Sequence, residues 1–134
     1  MRTRQHWRYV RDTGVKAKED FERLIEPLRF VARQHGYALA VHGSLVRDID
    51  VLAVAWTAEA STVFTLVGAL VTEVRKRNQG IAYVDPPVPA VRPHGRFAWS
   101  IHLGGGPYID LSVVGPAVAR DAEYREWQRL YATQ

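Results

Sequence analysis

The chain contains no cysteine, which excludes disulfides, a thiolate nucleophile and thiolate metal sites. It has no apolar run long enough to span a bilayer. Its basic opening stretch MRTRQHWRYVRD has no apolar signal-peptide core. The sequence therefore reads as a soluble, cytoplasmic protein with no membrane partner. No internal repeat, low-complexity tract or linker divides the 134 residues, and 47% hydrophobic content is enough for one ordinary core. No Ser-His-Asp arrangement can be placed by spacing.

What is abundant is positive charge. The formal net charge is +4 and the isoelectric point is about 9.7, which favours polyanionic or phosphate-bearing partners. The excess sits in MRTRQHWRYVR, in RKR at Arg75 to Arg77, and in RPHGR at Arg92 to Arg96. RKR also suits a helix end, where cations are favoured.

Residues 1–15 read as a weakly ordered basic arm in which Trp7, Tyr9 and Val10 pack as an extended segment. From Lys18 to His35 the apolar residues Phe21, Leu24, Ile25, Leu28, Val31 and Ala32 recur at helical spacing. Pro27 either kinks this helix or starts a second one, and Gly36 is a natural stop. YALAVHG reads as a strand. DIDVLAVAW reads as a second, its continuous apolar run suiting a strand covered on both faces. Thr57 suits the cap of the next helix, with Val63, Phe64, Val67, Leu70, Val71 and Val74 as its apolar stripe.

The prolines of DPPVPAVRPHGR predict a long loop, of a length often tied to function. RFAWSIHL and YIDLSVV are strand-like runs joined by GGGP, a hairpin signal. Pro116 to Tyr131 reads as a closing helix packed through Val118, Tyr124, Trp127 and Leu130. Trp56, Trp99, Trp127 and the tyrosines read as core. The element order predicts an α/β (α+β) domain, a mixed sheet of about four to five strands flanked by helices.

Residues two apart on a strand share a face, so Asp48 and Asp50 project together while Ile49 points away. The same parity groups Asp110 with Tyr108 and Ser112, leaving Ile109, Leu111 and Val113 to the core. If these two strands are neighbours, three carboxylates converge. Like charges at about 4 Å repel by roughly 1–4 kcal/mol, a large liability against a stability of about 5–15 kcal/mol. A divalent cation removes it, and an all-oxygen donor set suits Mg2+ or Mn2+ rather than Zn2+. The competing reading of RDID is an exposed turn in which Asp48 pairs with Arg47. Gly43-Ser44 directly upstream adds a turn able to approach phosphate oxygens closely.

Gly43-Ser44, Asp48-Ile49-Asp50 and Asp110 in YIDLS together resemble the DNA polymerase beta-like nucleotidyltransferase superfamily, above all its minimal single-domain members. The likeness spans roughly residues 20–115 but rests on about six positions. HGSLVRDIDVLAVAW also resembles small phage-encoded domains of that superfamily, which keeps a phage or prophage source open. The resemblance implies a single nucleotidyltransferase-like domain over residues 1–134 that transfers a nucleoside monophosphate from a nucleoside triphosphate to a hydroxyl. It implies Asp48, Asp50 and Asp110 as catalytic metal ligands, with Gly43 and Ser44 holding the β- and γ-phosphates. The acceptor, whether protein, RNA or a small molecule, is not specified, and its site falls to the termini, the long loop or a second subunit of a homo-oligomer.

Family members usually carry a longer insert between Gly-Ser and the acid pair, where only Leu45, Val46 and Arg47 stand here. Arg47 either clamps a phosphate or neutralises Asp48. Arg92, His94 and Arg96 either reach substrate phosphates, for which guanidinium forks are suited, or form a basic surface loop. His42 lies beside the site or bonds locally. GGGP lacks the lysine and following helix of a phosphate loop. The alternative function is a catalytically weak nucleotide-binding or antitoxin-like regulatory protein of the same fold. A nucleic-acid-binding domain using the basic segments ranks third and would bind in a steeply salt-dependent way.

Overall fold

The computed structural model describes residues 4–43, 45, 48–85, 89–116 and 120–131, with the backbone alone at 4–15, 94, 120 and 121. Helix α1 (Arg4–Gln34) leads into strands β1 (Tyr37–His42) and β2 (Ile49–Ala55), helix α2 (Val63–Arg77), and the short strands β3 (Tyr83–Val84) and β4 (Ala90–Arg92). A 3-10 turn at Pro93–Gly95 precedes β5 (Arg96–His102), β6 (Tyr108–Val114) and α3 (Arg120–Tyr131). All six strands form one sheet in the order β1-β2-β6-β5-β3, with β4 also pairing β5. The β2–β6 pair is parallel and the others are antiparallel. The chain thus has a mixed α+β architecture.

The expected extended arm is helical from Arg4 onward. It contains no proline to stop the helix, so it continues the amphipathic segment behind it. Pro27 lies inside α1 without ending it, flanked by buried Leu24 and Leu28. Asp20 is buried on the same helix, where Lys16 Nζ (3.1 Å) and Arg23 Nη2 (2.8 Å) meet its Oδ1.

The α2 cap is Thr62 rather than Thr57, its hydroxyl accepting from Thr65 N at 3.2 Å. Residues 57–61 are instead tied back to the α1–β1 junction. Tyr37 donates its phenol to Ser61 O (2.6 Å), and Ser61 N donates to His35 O (2.9 Å). The helix begins only beyond that anchor. Its buried stripe is Val63, Leu66, Val67, Leu70, Val71 and Val74. Phe64 is half-buried against Phe97 and Trp99.

One sheet face meets α1 and α2 through Ile49, Val51, Ala53, Phe97, Trp99, Ile101, Ile109, Leu111 and Val113, all buried. The other face is not covered as β2's apolar run suggested. Val54 is exposed there, and Trp56, just past β2, is 67% exposed. Tyr83 and Tyr124 are also exposed rather than core. The long loop is not all loop: Ala90–Arg92 forms an edge strand between Pro89 and Pro93, since prolines are tolerated at a strand's margin. In α3, half-buried Trp127 donates to Pro89 O (3.0 Å), and buried Glu123 accepts the Val63 N–H (2.7 Å) at the start of α2. Val118 lies outside the described residues. Among the described residues no helix is long and apolar enough to cross a membrane.

Candidate acidic site on the open sheet face

The parallel pairing of β2 with β6 sets Ile49 against Ile109 and Asp50 against Asp110. Because Ile49 and Ile109 are buried toward the helices, parity turns Asp50 and Asp110 to the open face. The antiparallel neighbours extend this row, placing His42 opposite Asp50 and Ser100 opposite Asp110. Four polar side chains from four strands thus form one line, His42–Asp50–Asp110–Ser100. Ser100 Oγ donates to Asp110 Oδ1 at 3.2 Å.

Gly43 ends β1 with φ +83°, and a Cβ at this position would collide with Asp50 Oδ2. Glycine is required twice over, by the left-handed backbone and by the carboxylate against it. Ser44, Val46 and Arg47 lie outside the described residues, as does the side chain of His94.

Asp48 precedes β2 and reaches the same neighbourhood through Tyr108. The Tyr108 phenol is pushed above its ordinary pKa chiefly by burial, then by the charges of Asp48 and Asp110, by its hydrogen bond to Asp48, and by the charge of Asp50. All three predicted acids therefore act on one hydroxyl. Among the described residues no group of three or more His, Asp or Glu side chains that could hold a metal ion is seen.

A cleft of about 160 Å3 opens beside the row, lined by His42, Asp50, Arg92, Ala98, Asp110, Leu111 and Ser112. Drug-sized ligands occupy about 300–1,000 Å3, so this cleft suits the charged end of a ligand. Arg92 lies on its wall. Arg96 stands directly opposite Arg92 across β4 and β5, away from the cleft lining. Neither guanidinium has an acidic partner among the described residues. Like charges directly opposite are destabilising, so an anion would relieve this pair.

Sequence reasoning left His42 open and gave Ser100 no role, and it grouped Tyr108 with Asp110 by parity without assigning it to the acids. The period-2 pattern of RFAWSIHL held the signal for Ser100, but strand order was needed to bring it beside Asp110. No protein-family model matches the chain, and no curated protein matches it.

Proposed function

We propose that this protein is a divalent-metal-dependent nucleotidyltransferase that moves a nucleoside monophosphate from a nucleoside triphosphate to a hydroxyl acceptor. The observation that carries the reading is the in-register pairing of Asp50 with Asp110 on adjacent parallel strands of an open face. Two carboxylates set side by side gain nothing structurally from their proximity, and their oxygen-only donor set fits Mg2+ or Mn2+. Asp50 and Asp110 would hold the metal, with Asp48 as the third carboxylate nearby, and a bound ion would lower the barrier by neutralising charge on the phosphates and the attacking oxygen.

The chain's own groups supply the rest. Gly43 lets the backbone close on the Asp50 carboxylate, leaving room where a side chain would stand. Arg92 offers a guanidinium to phosphate oxygens from the cleft wall, with Arg96 beside it. Asp110, which accepts a hydrogen bond from Ser100, would accept the proton of the attacking hydroxyl.

A second reading, nucleotide binding without turnover, is favoured by one feature: the Tyr108 phenol bonds to Asp48, occupying a carboxylate that catalysis needs. Pyrophosphate release from each nucleoside triphosphate with Mg2+ separates the two. Turnover that falls at least about a hundredfold in both Asp50→Ala and Asp110→Ala supports the transferase. Mg2+-dependent triphosphate binding without pyrophosphate favours the second reading, and absence of binding rejects both.

A further inference from the structure

The sheet has two unlike edges. One is built from β3 and β4, of two and three residues, with Pro89 and Pro93 beside β4 and the exposed Arg92 on it. Short strands, prolines and charges are the ordinary means of stopping a sheet from recruiting another strand. The opposite edge is β1, six residues reading YALAVH, with no proline and no lysine, arginine, aspartate or glutamate. It pairs only with β2, and among the described residues no other backbone hydrogen bond reaches Tyr37–His42. Every second residue of an edge strand presents its N–H and C=O outward, so β1 offers a ready template.

We propose that β1 is a dimerisation edge that pairs antiparallel with β1 of a second copy of this chain, joining two six-stranded sheets into one. The occupant follows from self-complementarity. Antiparallel partners share a face, so a two-fold pairing centres on a residue that meets itself. Centred on Leu39 or on Ala40, it opposes only uncharged side chains along the strand, and His42 meets Gly36 or Ala38. The exposed Ala38 and Ala40 are small enough for close approach. Ala38 lies next to exposed Val54 in the β1–β2 register, and exposed Trp56 follows it, giving an apolar margin on the open face. A two-fold axis normal to the sheet keeps both helix layers on one side and both acidic clefts on the other, a closed isologous arrangement.

The test is sedimentation of the full chain over a wide concentration range, together with two variants outside the acidic site. The wild type sediments as a dimer. Ala40→Lys, which sets ammonium groups near each other across the axis, weakens that dimer at least about tenfold while the circular dichroism spectrum is retained. The native chain has no cysteine, so the double variant Ala38→Cys, Ala40→Cys gives an unambiguous second readout. Facing strand residues lie about 4.5–5.5 Å apart at Cα, within disulfide reach, and mild oxidation yields a covalent dimer in either register. A monomeric wild type overturns the proposal. So does a larger assembly, a dimer indifferent to Ala40→Lys, or the failure of the cysteines to link copies.

Discussion

On one side of the sheet Ile49, Val51, Ile109 and Leu111 meet α1 and α2; on the other, Asp50, Asp110, Ser100 and His42 look outward. The same strands carry both sets in strict alternation. The buried set fixes register, because a slip by one residue would turn every apolar side chain outward. The outward set is thereby released from the packing duty that the helices impose on the inner one. Packing explains the inner face completely. It gives no reason for two opposed carboxylates on the outer one.

Substitutions that separate the two faces sharpen this contrast. The largest effect belongs to the inner layer: Leu66 is fully buried, and Leu66→Ala lowers unfolding free energy by about 2–5 kcal/mol in denaturant titration.

A smaller effect comes from Tyr37, which is buried and donates to Ser61 O. Burial, and then the negative charge of Glu123, hold its phenol well above the usual tyrosine value. A raised folded value means the stabilisation is fully present below the unfolded pKa of about 10 and is lost as pH rises toward the folded value. Chemical denaturation at rising alkaline pH shows this loss. Tyr37→Phe flattens the dependence and costs about 0.5–1.5 kcal/mol at neutral pH through the missing hydrogen bond.

The smallest effect has the opposite sign. Asp50→Asn removes one of two facing charges and raises stability by about 0.2–1 kcal/mol in the absence of divalent ions. Added Mg2+ lifts the melting temperature of the wild type and leaves that of Asp50→Asn nearly unchanged. A destabilised Asp50→Asn would make the outer face structural after all and break the comparison.

Much of this was readable in advance where local rules and tertiary context agree. The order of the long elements, the hairpin at GGGP and the turning of Asp50 and Asp110 away from the apolar residues of their own strands follow from periodicity alone. The neighbouring of β2 and β6 was a condition in the sequence and is a finding in the structure. Elsewhere tertiary contacts prevailed. Thr57 has the chemistry of a cap, but the Tyr37 and His35 bonds to Ser61 delay the helix to Thr62. β2 reads as doubly covered, yet the three helices leave Val54 and Trp56 in solvent. β4 is hidden among prolines because only an edge position tolerates them. Ser100 joined the acids only through strand order, which no single segment encodes.

Asp50 and Asp110 are sixty positions apart in the chain, yet they lie side by side on hydrogen-bonded strands. Closing so long a loop is entropically slow, and β6 leaves the ribosome after every other strand of this sheet. A nascent chain that ends before Tyr108 already holds α1, β1, β2 and α2 but only half of the acidic pair. The acidic pair is complete only once β6 has emerged, and no fragment that ends before Tyr108 can carry it.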